Sequence, residues 1–257
     1  GTGAITFSGN VGADATTAGA AVVTIGNNDT ASITFAGVEF TTSGVQLFTA
    51  DAYSITGADS TFGSSNANIT FADGGADGGI TLADIADLTI TTEIGGSGGG
   101  NIAVNIPIAG TAGNGDDATD VTMTAGSGTI SIEDISTDIN DVLLTSTGGI
   151  SLNGTITTAV DSDETGATSG IVTLTGPVTL AGNTTIDTDS TSNNGAVTFS
   201  STVDGTKTLT ITSGSGAVQF GGNVGATTVL SDLTVNSSAG TGAITFSGNV
   251  GADATTA

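Results

Sequence analysis

The chain has 257 residues, 42 of them Gly, and sets 25 Asp and Glu against Lys207 alone, for a formal charge of −24 with no His, Cys or Trp. With almost no cation to meet phosphates, nucleic acid and anionic membranes are poor partner candidates, and without His or Cys a catalytic triad or thiol mechanism is excluded. Positive mean hydropathy and only two prolines, Pro107 and Pro177, separate it from a disordered chain.

In chain order the text reads as short strands punctuated by Gly, Asn and Asp. The first alternates so that Ile5 and Phe7 share one face and Thr6 takes the other. The same phrase (small residue, apolar, polar, apolar) returns at 31–35, 68–71, 79–82, 101–104, 129–132, 149–152, 170–174, 196–199, 217–220 and 243–246. Its second apolar position is a marker: Leu82, Val104, Ile132, Leu152, Leu174, Phe199, Phe220 and Phe246 follow one another at roughly two dozen residues. From Phe35 to Leu82 the interval doubles, which fits two turns with Phe71 on an extra or shifted strand. A second strand falls halfway through most turns, at 87–91, 141–145, 178–180, 208–212 and 232–235. Helices are disfavoured because nearly every window of a dozen residues holds Gly or a cluster of Thr, Ser, Val and Ile. The most helix-like stretch, 133–144, is read as a turn broken by its Asp and Asn residues.

Residues 1–18 recur letter for letter as 240–257, an offset of 239 residues. We read 1–239 as one full tandem repeat and 240–257 as the start of the next identical repeat, continuous and without a linker. Ala257 is then expected to run on into text like that from Gly19. No positively charged leader with an apolar core opens the chain; if the protein is exported, its signal is expected upstream.

Repeats this short cannot bury one apolar face alone and become stable only by stacking. The expected fold is all-β, a right-handed parallel β-helix (β-solenoid) of about ten turns per 239-residue repeat. At about 4.8 Å per turn that is a rod section about 48 Å long. Ile, Val, Leu and Phe fill the interior, Thr and Ser form outward rows, and Gly and Asn turn the corners. A string of β-sandwich domains is the competing architecture.

Two passages, Gly216-Ala-Val-Gln-Phe-Gly-Gly-Asn-Val-Gly-Ala-Thr-Thr-Val-Leu-Ser-Asp-Leu-Thr-Val and Gly195-Ala-Val-Thr-Phe-Ser-Ser-Thr-Val-Asp-Gly-Thr-Lys-Thr-Leu-Thr-Ile, resemble the filamentous haemagglutinin-like β-strand repeat proteins, giant surface or secreted proteins of Gram-negative bacteria. The resemblance implies a right-handed β-helix rod, export to the cell surface, and work as an adhesin, fibre or matrix component.

Candidate chemistry is sparse. Lys207, in Asp204-Gly-Thr-Lys-Thr, is read as a solvated turn residue, and no catalytic, cofactor-binding or metal residue is assigned. A glycosidase needs only two carboxylates, but glycan clefts use aromatic platforms. Tyr53 is the single Tyr, and the nine Phe fall mainly at inward positions such as Phe7, Phe35, Phe199 and Phe220. The acidic groups at expected corners are Asp116, Asp117 and Asp120; Asp134, Asp138 and Asp141; Asp161, Asp163 and Glu164; Asp187 and Asp189; and Asp73 with Asp77. Ca²⁺ at these corners would screen repulsion between turns, although no calcium nonapeptide or complete EF-hand loop is present. Asn28, Asn68, Asn153, Asn183 and Asn236 meet the N-glycosylation pattern by composition. Thr rows of the ice-binding kind would require a Thr-x-Thr in every turn, which the sequence lacks.

The expected function is a structural or adhesive, non-enzymatic repeat protein forming an extracellular or cell-surface fibre, with itself and surface glycans as partners. The alternative is a carbohydrate-binding or carbohydrate-active β-helix protein.

Overall fold

The structure is a computed structural model, and it describes residues 2–12, 22–57, 59–75, 78–96, 98–111, 119–136, 138–158, 170–189, 194–236 and 242–251. Among these residues the chain forms 27 strands and no helix. Period-two alternation is the local cause. Along Val121–Gly126 buried and half-buried positions alternate without a break, and Thr208–Thr212 places Leu209 and Ile211 inside with three Thr at the outer face.

Successive strands do not pair with each other. Ser32–Ala36, Glu39–Thr42 and Gln46–Ala50 enter three different sheets, and the chain then returns to the first with Tyr53–Thr56. Among the described residues the first sheet has ten strands, from Ala4–Phe7 to Asp232–Asn236. The second has nine, from Glu39–Thr42 to Ile244–Phe246, and the third has eight, from Val23–Gly26 to Val203–Asp204. All pairings between these strands are parallel. This is the all-β parallel solenoid expected from the repeats, and it replaces the β-sandwich alternative. The coil makes about eight turns counted on its shortest sheet and nine pitches counted on its ten-stranded one, slightly fewer than the ten turns expected. Parallel bridges from Val203 to Val224 and from Val224 to Val250 carry that sheet further.

Turn length is uneven because the corners absorb the difference. Ile33 pairs with Tyr53, 20 residues on, whereas Ile156 pairs with Ile186, 30 residues on. The doubled interval from Phe35 to Leu82 is two turns, through Ile55. Phe71 belongs to the third sheet, in line with Phe48. The stretch 133–144 carries the strands Ile135–Ser136 and, from Val142, Val142–Ser146.

The three inner faces enclose one continuous core running from Ile33 to Val224. Near Ala4–Phe7 it is aromatic, with Phe35 against Phe7, Phe40, Phe48, Phe62 and Phe71. Further along it becomes aliphatic, then aromatic again where Phe199, Phe220 and Phe246 stack nearly parallel.

Not every Thr and Ser faces out. Thr42, Ser64, Thr92 and Ser146 lie wholly buried where the second sheet ends, and Thr158, Thr188 and Ser213 where the first ends. Their hydroxyls donate to carbonyls across the bend: Thr92 to Gly100 at 2.9 Å, Thr158 to Gly170 at 2.8 Å, Thr188 to Gly195 at 2.8 Å and Ser213 to Gly216 at 3.0 Å. A backbone carbonyl turned inward at a corner needs such a donor, since no strand is there to supply one.

Candidate functional site: a ladder of aspartates

The residue just before a strand sits at the corner leading into its sheet, with its backbone N–H pointing along the axis towards the previous turn. When that residue is Asp or Asn, its side-chain oxygen accepts the N–H of the equivalent residue one turn on. Asn68 Oδ1 takes the Asn101 N–H at 2.8 Å and Asn101 Oδ1 takes that of Thr129 at 2.9 Å, along the corner before the third sheet. Asp134 accepts from Thr155 and Asn183 from Thr208 before the first.

Before the second sheet the ladder is made of carboxylates. The Asp87 N–H reaches Asp59 Oδ1 at 3.4 Å, the Asp120 N–H reaches Asp87 Oδ1 at 2.8 Å, the Asp141 N–H reaches Asp120 Oδ1 at 2.9 Å, and the Ile171 N–H reaches Asp141 Oδ1 at 2.8 Å. Asn140 Nδ2 adds a second donor to Asp120 at 3.1 Å. Four like charges thus stand one behind another at the strand spacing of about 4.8 Å. Partial burial pushes the Asp87 carboxyl above its ordinary range; the Asp120 N–H opposes this, and the neighbouring Asp120 and Asp59 charges add to it. Asp141 is raised for the same leading reason, opposed by the Ile171 N–H and reinforced by Asp120.

The acidic groups singled out in the sequence are therefore redistributed. Asp134 and Asp141 lie at different corners, and Asp120 joins Asp59 and Asp87, which sequence grouping missed. The available signal was an Asp directly before a strand phrase, as in Asp87-Leu-Thr-Ile and Asp141-Val-Leu-Leu. Asp187 Oδ1 accepts the Asp189 N–H at 3.0 Å and Asp73 Oδ1 that of Gly75 at 2.8 Å, both as local turn bonds. Asp77, Asp116, Asp117, Asp161, Asp163 and Glu164 lie outside the described residues. Among the described residues no group of three or more acidic side chains is arranged to hold a metal ion. What the ladder can do is store repulsion that protons or dissolved cations relieve.

Tyr53 and seven of the nine Phe are interior, Phe7 is half-buried and Phe246 is exposed. Phe35, Phe40, Phe48, Phe62, Phe71, Phe199 and Phe220 are fully buried. Tyr53 is buried as well, its hydroxyl donating to the Ala72 carbonyl at 2.6 Å, and burial drives its pKa far above the ordinary tyrosine value. Asn68 and Asn183, two of the glycosylation-pattern residues, commit their side-chain oxygens to the corner ladders.

No family model, curated protein or solved structure matches the chain.

Proposed function

We propose that this chain is one length of a non-enzymatic structural rod, exported and working outside the cell as a fibre, stalk or adhesin in the manner of the filamentous haemagglutinin-like proteins it resembles. The observation that carries the reading is the continuity of the stack. The strands of each sheet pair in parallel along one axis over a single core, and the same eighteen residues stand at 1–18 and 240–257. A coil of this kind grows by adding turns, each contacting only its neighbours, so repetition supplies length without altering any existing contact.

The ladder fits a mechanical role, because its side chains tie each turn to the next along the axis. The burial of Tyr53 and of seven of the nine Phe leaves little of the aromatic platform that the carbohydrate reading needs, which favours the rod. Negative-stain imaging of the protein with its repeats in tandem tests the proposal. Thin unbranched rods lengthening by about 45 Å per 239-residue period are expected, and compact particles would sink it. Recovery of the native protein on the cell surface or in the medium checks the exported half of the reading.

A further inference from the structure

The two copies of the repeated sequence do not lie on the same face. The strand Ala4–Phe7 belongs to the first sheet, where Ile5 pairs with Ile33 and Phe7 with Phe35. Its identical twin lies in the second sheet, where Ile244 pairs with Val218 and Phe246 with Phe220. The shift persists along the copy: Val11 bridges to Phe40 of the second sheet, and its twin Val250 bridges to Val224, which continues the third. Local geometry is kept, with φ of 99° at Gly12 and 89° at Gly251. From Ala4–Phe7 the first sheet advances nine pitches to Asp232–Asn236, and the chain then turns one more corner. The 239-residue period is therefore not a whole number of turns.

The twin turn at 242–251 is open on one side. Ile244, Phe246 and Val250 are 43%, 41% and 57% exposed, whereas Ile5, Phe7 and Val11 pack against the core beneath the following turn. A Cβ on Gly12 would strike the Thr41 carbonyl of that following turn, while one on Gly251 would meet nothing within 4 Å. Asn10 Oδ1 accepts the Glu39 N–H at 2.9 Å, and Gly3 offers its carbonyl to Ala31.

We propose that this open turn seats a second copy of the period, whose Ser32–Ala36 strand lies along Ile244–Phe246 in the register it keeps here with Ala4–Phe7, so that each copy enters the coil rotated by one face. Asn249 and Gly242 then accept from Glu39 and Ala31 of the second copy, and its Phe35 extends the Phe199–Phe220–Phe246 stack. The three faces are chemically interchangeable, which permits the rotation. Ile-Thr-Phe is buried in the first sheet at Ile33 and Phe35 and in the third at Ile69 and Phe71, and Val-Thr-Phe in the second at Val197 and Phe199. Asp or Asn ladders serve all three corners. In consequence the aspartate stripe moves to the next corner in each copy, winding around the rod instead of forming one acidic edge, and three periods bring a face back to its start.

The inference rests on the rod reading, and one chain tests both. It is the 257-residue sequence continued by a second copy of residues 19–257, cysteine-free apart from introduced pairs at polar positions. Oxidative cross-linking is expected between Gln219→Cys and Thr245→Cys, and between Thr245→Cys and Thr34→Cys of the second copy, but not between Thr234→Cys and Thr245→Cys. The particle length doubles in negative stain. A Thr234–Thr245 link in place of the Gln219–Thr245 link, with length still doubled, overturns the rotation and leaves the rod intact. Two separate particles without the Thr245–Thr34 link overturn both.

Discussion

Asp120 holds the backbone N–H of Asp141 at 2.9 Å while its own N–H is held by Asp87 at 2.8 Å, so each carboxylate both supports the next turn and repels the next carboxylate. Asp87 and Asp141 bind protons more readily in the folded chain than in the unfolded one. Stability should therefore rise as pH falls from neutrality through their raised pKa values towards the ordinary 3.8, and be lost again as pH rises. Asp87→Asn and Asp141→Asn keep the accepting oxygen and remove the charge. Each should raise stability at pH 7 by up to about 1 kcal/mol and flatten the pH and salt dependence, as read from thermal melts across pH and NaCl concentration.

Phe220 is stacked between Phe199 and Phe246 with ring centroids 5.0 and 4.7 Å away. Phe220→Ala should cost about 3–5 kcal/mol, and Phe246→Ala less than half as much, since Phe246 is 41% exposed. Because each turn leans only on its neighbours, hydrogen exchange should show protection lost around 197–246 and kept around Phe35, Phe48 and Phe62. Uniform loss along the coil would contradict this.

Thr188 is wholly buried and its hydroxyl donates to the Gly195 carbonyl at 2.8 Å. Thr188→Val preserves shape and strands that carbonyl, so urea denaturation should show a loss of about 1–3 kcal/mol. Thr188→Ser keeps the donor and should recover most of it. Equal losses would mean that the methyl group, not the hydroxyl, holds the corner.

Gly12 and Gly251 share a left-handed conformation, but only Gly12 lies beneath a following turn. Gly251→Ala should cost about 1 kcal/mol from backbone strain alone, and Gly12→Ala distinctly more through contact with the Thr41 carbonyl. In the two-copy chain the cost at Gly251 should rise to match. Melting temperatures of these three variants, each against its parent chain, decide it.

Much of the fold was legible because alternation is local. Ile33, Phe35, Ile69, Leu82, Val104, Ile132, Leu152, Leu174, Phe199 and Phe220 all read as inward, and all are buried. The face each occupies was not legible. The marker series begins in the first sheet at Leu82, passes to the third at Val104, Ile132 and Leu152, and lies in the second from Leu174 onwards. The aspartate ladder was hidden for the same reason, since Asp59, Asp87, Asp120 and Asp141 become neighbours only when corners of different lengths bring them into line.

From its sequence alone this protein is bound to form short strands whose thin apolar faces can be buried only by stacking, because alternation and repetition act over a few residues. Tertiary structure alone decides which of three equivalent walls each phrase joins. That choice depends on the sum of all preceding corner lengths, and nothing in a phrase such as Ala-Ile-Thr-Phe marks one wall from another, so identical text comes to rest on two of them.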